Sequence, residues 1–252
     1  MNESDGAPGG FGGAAALDLT PSRAMIQHHP DFYSIDTPMH KGGIEMGARC
    51  SICRLPGGKL WVHAPLAISE DDQLAIQELG QVAFIVVPNT LHFTQVGDFT
   101  VRFPEATVYA PASLESKLKS VPHRNLDENA ELFARDFDAI LFDTAPLLHE
   151  WVFCHRASRT LLLTDLCFNV ETPENLVGRV GATALDLGHG LAPSRALRID
   201  LALGDRDKTR ELIDTVLGWD FDRVSVAHGA IVESGGKEAL RTAFEWLEKT
   251  DS

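Results

Sequence analysis

Four short apolar runs in this chain each end on a polar residue that can bind a ligand. "LWVH" ends at His63, "FIVVPN" at Asn89, "TLLLTD" at Asp165 and "VSVAHG" at His228. Runs of four to six apolar residues bounded by turn signals read as buried strands. Strands of this kind sit inside a sheet that is covered on both faces. Their polar ends then gather along one sheet edge, where open sheets place ligands. The pattern constrains the fold and the site together.

The elements between these runs define the class. "IEMGARCSICRLPGGKLWVHAPL" reads as a β-hairpin turning at Pro56-Gly57-Gly58. "SEDDQLAIQELG" is a short helix with Ser69 as N-cap, acids in its first turn and Gly80 as stop. "ATVYAP" is a further strand and "ASLESKLKS" a short helix. "AILFDTAPLLHEWVFCHRASRTLLLTDLCFNV" reads as three strands, with "HRASRT" turning the second into the third. A helical piece "PENLVGRVGATAL" precedes a loop "GHGLAPSR". Residues 206–218 form an amphipathic helix, and "GGKEALRTAFEWLEK" is the closing helix. Strands occur both in hairpins and singly between helices. That order predicts an α/β protein, with mixed sheets covered by helices in a four-layer or α/β sandwich. A Rossmann fold is disfavoured because no G-x-G-x-x-G follows the first strand. Residues 1–43 read as an irregular, disordered N-terminal segment, and 44–252 as a single domain.

Composition restricts the partners. The 252 residues carry 36 acids and 22 bases, a formal charge of -14. Phosphate backbones and anionic membranes require clustered Lys and Arg, so the reading is no nucleic acid and no membrane, but a small-molecule substrate. No apolar run approaches the roughly 18–20 residues that span a bilayer. The N-terminal residues lack the positive charge and solid apolar block of a secretory signal, so the expected location is the cytoplasm. The oligomeric state leaves no mark in the sequence. Cys50 and Cys53 of "CSIC" are three apart on a strand and point to opposite faces, and no second CxxC completes a zinc site.

Imidazole and carboxylate are the usual donors for zinc, iron or manganese, so the strand ends suggest one shared centre. "TLLLTDLCFN", followed by "VSVAHG" and a terminal helix, resembles the back half of the metallo-β-lactamase superfamily. "GGKLWVHAPLAI", "VVPNTLHF", "APSR" and "DFDRVSVAHGAIVESGGKEALRTAF" are similar to an uncharacterised, domain-of-unknown-function branch of it, over roughly residues 44–248. The resemblance implies a metallo-β-lactamase-like αββα four-layer sandwich of two mixed sheets, and a zinc or iron hydrolase in which a metal-activated water is the nucleophile. It carries over Asp165 and His228 as metal ligands. His63 stands where an acid usually follows the first hairpin, and His149 near the place of a third metal-binding His.

One departure restricts this site. The superfamily signature His-x-His-x-Asp-His falls on "NTLHFT", where Asn89, Leu91, Phe93 and Thr94 take its places and His92 is off-register. The expected centre is therefore at most mononuclear. His92, Asp165 and His228 hold the metal, with His63 or His149 as the fourth group. Asn89 orients water or substrate. Glu150 is a base, or an acceptor that positions a ligand. His149 and Glu150 are adjacent on a strand, so only one can face the site. The alternative is a non-catalytic or ligand-binding domain without metal. Ligand atoms within about 3–4 Å of one another would favour the metal, since zinc–ligand bonds are about 2 Å, and direct His–Asp hydrogen bonds with no room for an ion would favour the alternative.

Overall fold

The computed structural model describes residues 25–41 and 44–248. Strands begin earlier than the sequence suggested. Within the segment read as irregular lie β1 (Ile26–His29), β2 (Phe32–Thr37) and β3 (His40–Lys41). In β2, Phe32, Tyr33, Ser34 and Ile35 are all buried. With both faces covered, the strand shows no alternation of polar and apolar residues, which is why the sequence did not reveal it. Of the segment 1–43 expected to be irregular and disordered, residues 1–24, 42 and 43 lie outside the described residues.

The chain continues through β4 (Ile44–Glu45), β5 (Ala48–Arg54) and β6 (Lys59–His63). The β5–β6 turn places Gly57 and Gly58 at φ of 84° and 78°, a conformation glycine adopts without strain. Helix α1 (Glu70–Leu79) starts at the expected cap: Ser69 and Asp72 exchange side-chain and backbone hydrogen bonds in a capping box. Then come β7 (Gln81–Val86), α2 (Val96–Arg102), β8 (Thr107–Ala110), β9 (His123–Asn125) and the single turn α3 (Leu126–Asn129). "ASLESKLKS" forms only a 3₁₀ turn over Ala112–Leu114 instead of a helix. The second half holds β10 (Phe137–Ala145), β11 (Leu148–His155), β12 (Thr160–Leu163), α4 (Leu176–Leu185), α5 (Arg195–Leu203), α6 (Arg206–Gly218), β13 (Arg223–Val226) and α7 (Gly236–Phe244). Helix α5 begins where the sequence reading ended a loop. Its Ser194 cap accepts from the Leu197 N–H at 3.3 Å.

Two mixed sheets result. The first has seven strands in the order β1-β2-β5-β6-β7-β8-β9, and the second has four in the order β10-β11-β12-β13. Each sheet begins with antiparallel strands and ends with parallel ones added through helical crossovers: β6 to β7 in the first sheet, β12 to β13 in the second. Three apolar clusters give the layering. One packs the outer face of the first sheet against Ile76 of α1 and Phe99 of α2. One packs the second sheet against Leu201, Ile213 and Leu240 of α5, α6 and α7. The third lies between the sheets, around Trp61, Phe133, Phe137 and Phe153. Cys50 joins the first cluster and Cys53 the third, so the two thiols do lie on opposite faces. Among the described residues no helix is long and apolar enough to cross a membrane.

The sheets are also fastened to each other by hydrogen bonds. The Arg49 N–H donates to the Ala227 carbonyl at 2.9 Å, and the Trp151 N–H to the Pro88 carbonyl at 2.9 Å. The Arg49 guanidinium grips both Asp36 oxygens and donates to the carbonyls of Val226 and Gly229. These ties bring the ends of β7, β12 and β13 to one edge. Trp61 is fully buried, with ring contacts to Phe133, Phe137 and Phe153. Trp61→Ala is expected to lower unfolding free energy by about 3–5 kcal/mol, and Ser69→Ala by about 1 kcal/mol. Urea denaturation midpoints measure both; equal losses would contradict the layering described.

Candidate metal centre

The segment "PNTLH" leaves the sheet in a tight turn. The Asn89 carboxamide oxygen accepts the backbone N–H groups of Leu91 at 3.0 Å and His92 at 2.9 Å, an Asx-type turn. This turn directs the His92 ring back toward the end of β12. His92 Nε2 lies 3.2 Å from Asp165 Oδ2. His228, just past β13, reaches the same carboxylate from the other side, with Nε2 3.8 Å from Oδ1. One ligand atom from each of His92, Asp165 and His228 lies within 4.8 Å of the others. Their side chains are 11%, 23% and 9% exposed, so the group sits recessed but open to solvent on the Asp165 side.

Neighbouring groups fix each of these side chains. His228 Nδ1 is 2.7 Å from the Gly47 carbonyl. A carbonyl only accepts, so Nδ1 carries a proton and Nε2 is the ring nitrogen turned toward Asp165. Phe168 stacks on the His228 ring, with centroids 5.4 Å apart and planes 8° from parallel. Gly229 follows with φ of 94°, and a Cβ there would fall 2.1 Å from the Asn169 carbonyl. Glycine at 229 is thus required by the turn itself. The Asp165 carboxylate accepts from Asn89 Nδ2 at 2.6 Å.

Glu150 shapes the loop that carries Asp165. It is 1% exposed, and its carboxylate accepts the backbone N–H groups of Thr164 at 2.7 Å, Asp165 at 2.7 Å and Leu166 at 3.0 Å. Of the two uses expected for Glu150, base or positioning acceptor, the geometry corresponds to the second: both oxygens are already engaged by backbone. Burial raises the Glu150 pKa, and the negative Asp165 adds to that, while the backbone and hydroxyl of Thr164 and the backbone of Asp165 oppose it through hydrogen bonds. For Asp165 burial also acts upward, but the charge and hydrogen bond of His92, then His228 and Asn89, outweigh it and hold the carboxyl below the usual range. For His92 burial acts downward, and the Asp165 charge and hydrogen bond reverse it, so the ring is held above its ordinary value.

The two proposed fourth groups are not part of this cluster. His149 lies on the face of β11 shared with Trp151, opposite Glu150. There its Nε2 is 3.2 Å from Asp127 Oδ1, the oxygen that also accepts from Trp151 Nε1. Strand alternation sends Glu150 to the loop and His149 away from it. His63 is 2% exposed, stacked on Trp61 and edge-on to Phe153, and its Nε2 has no hydrogen-bond partner among the described residues. Burial, then the charge of nearby His92, lowers the His63 pKa to about 3. It is a neutral neighbour of His92 and not a member of the ligand group. The sequence reading missed Thr164, whose hydroxyl accepts from Asn89 Nδ2 at 2.9 Å, and the Gly47 carbonyl. Thr164 was in plain view beside Asp165; nothing local to Gly47 signals its part, because it meets His228 only across the fold.

Residues 32–187 match the family described as Domain of unknown function (DUF4336). No curated protein sequence matches the chain. Solved structures do match in shape. The DIM-1 metallo-β-lactamase exposed to ceftazidime is 10% identical, with 90% of this chain and 98% of that chain covered and a TM-score of 0.54. A metallo-β-lactamase from Erythrobacter litoralis is 12% identical, covering 90% and 92%, at 0.55. The metal-soaked Flv1 flavodiiron core from Synechocystis sp. PCC6803 is 10% identical, covering 90% and 61%, at 0.61. At such identities the likeness establishes the fold.

Two outcomes follow from these surroundings. Glu150→Gln leaves one acceptor oxygen for three N–H donors and is expected to cost about 2 kcal/mol or more in urea denaturation, as buried donors lose a charged partner. His63 titrates near its ordinary value when unfolded but only near pH 3 when folded. A depressed histidine contributes stability above pH 6.5 that is lost as pH falls, by about 1.4 kcal/mol per pH unit. Unfolding free energy measured from pH 7 to 4 should therefore fall more steeply in the natural chain than in His63→Phe; parallel curves would refute the assignment.

Proposed function

This chain belongs to the DUF4336 family on a metallo-β-lactamase-like αββα fold, and from that premise we propose that it is a metal-dependent hydrolase of a small-molecule substrate with a single-cation centre. The carrying observation is the convergence of His92, Asp165 and His228 within 4.8 Å. Two imidazoles and a carboxylate suit zinc or iron. Three protein donors also leave a coordination position free, as catalytic zinc sites do and structural ones do not. His92, Asp165 and His228 would hold the ion. A cation there supplies Lewis acidity, lowering the pKa of water toward neutrality and polarising the bond under attack.

The remaining residues prepare the site. The Gly47 carbonyl, by holding Nδ1, keeps His228 Nε2 facing inward. Glu150 fixes the backbone at Thr164, Asp165 and Leu166, which sets where the Asp165 carboxylate stands. Asn89 joins the two halves of the centre, bonding the His92 turn through its oxygen and Asp165 through its nitrogen. Phe168 covers one face of the His228 ring and limits access from that side. His63, kept neutral by burial, adds no positive charge to compete with a cation.

Metal analysis of protein purified without chelators tests the reading. About one zinc or iron per chain is expected. His228→Ala should weaken retention by more than about tenfold, since loss of even an outer partner of a ligand costs about 10–100-fold. Substoichiometric metal that His228→Ala leaves unchanged would instead support the non-catalytic alternative.

A further inference from the structure

The Asn89 amide has an unusual set of neighbours. Its oxygen is identified by the two backbone N–H donors it accepts, from Leu91 and His92. The amide nitrogen is therefore the atom that faces Asp165 Oδ2 at 2.6 Å, Thr164 Oγ1 at 2.9 Å and Glu150 Oε2 at 3.5 Å. Asn89 is 4% exposed and Glu150 1%. Three oxygens, two of them from carboxylates, converge on one nitrogen in a buried place. Carboxylate and hydroxyl oxygens are the donor set of hard divalent cations such as magnesium and manganese. Two carboxylates so close repel each other unless positive charge or N–H donors stand between them.

We infer that Asn89 stands in for a second cation: its amide N–H groups occupy the space between Asp165, Glu150 and Thr164, and so restrict the centre to one ion. The inference rests on the hydrolase reading for the first ion, and concerns a different oxygen set for the second. Asp165 is common to both. Asn89 is thereby a positioning residue that sets the metal number, a role it fills without binding metal itself.

Two substitutions test this. Asn89→Asp keeps the shape and the oxygen that closes the His92 turn, but replaces the N–H donors with a fourth oxygen ligand. Asn89→Ser removes the amide N–H groups and opens the three oxygens while keeping a side-chain oxygen for the His92 turn. Each protein is equilibrated with Zn²⁺ and Mn²⁺, desalted, and its bound metal counted per chain; Tm is recorded with and without Mn²⁺. Each variant is expected to hold one ion more than the natural chain. Asn89→Asp should gain about 5–10 °C in Tm at saturating Mn²⁺, beyond any shift of the natural chain. Recovery of near-ultraviolet circular dichroism on adding Mn²⁺ to a variant that lacks it otherwise counts as the same gain. If Asn89→Asp does not fold under either condition, Asn89→Ser decides. A natural chain holding one ion, with folded variants also holding one and no added Tm response, overturns the inference alone. A natural chain holding none overturns the hydrolase reading, while an extra ion in the variants still supports the role of Asn89.

Discussion

The buried carboxylate of Glu150 is the interaction on which the edge of this structure depends. A strand end leaves backbone N–H groups without ladder partners, and inside a protein each needs an acceptor. Glu150 provides it to three consecutive residues, Thr164, Asp165 and Leu166. A charged acceptor gives stronger hydrogen bonds than a neutral one, and strength is needed to offset burial of the charge. The loop that presents Asp165 is therefore set by the second sheet itself. Asn89 then carries that fixed position across to the first sheet, because its two polar ends bond one partner group from each half.

The centre owes its place to the meeting of two sheets. His92 follows a strand of the first, and Asp165 and His228 follow strands of the second. Neither half assembles the group alone. Arg49, gripped by Asp36 within the first sheet, holds the halves together at the β13 end through the carbonyls of Val226 and Gly229, and the Trp151-to-Pro88 hydrogen bond does so at the β7 end. The aromatic cluster around Trp61 and Phe153 fills the space between these ties. Packing there and ligand geometry at the edge are thus mechanically connected: a shift of one sheet over the other would separate His92 from Asp165.

Much of this was legible locally. Ser69 with Asp72 marked the start of α1, Pro56-Gly57-Gly58 marked a hairpin turn, and the short apolar runs marked the strands whose ends form the centre. Strand β2 was hidden because burial on both faces removes alternation. His149 was suggested by the resemblance, near the place of a third metal-binding His, but position along a chain does not say which face of a strand a side chain takes. Glu150 was recognised as a polar residue in an apolar strand, yet its partners are fourteen to sixteen residues away and no local pattern names them.

The sequence by itself determined the class of fold, the elements that alternate around the sheets, and the identity of the polar residues at the strand ends, because each of these follows from short-range periodicity and turn chemistry. Tertiary structure alone decided which of those residues meet. His63 and His228 both end apolar strands, but one is sealed against Trp61 in the core and the other faces Asp165. That difference arises from how two sheets stack and where backbone carbonyls such as that of Gly47 fall, and such contacts between distant parts of the chain leave no trace in the order of neighbouring residues.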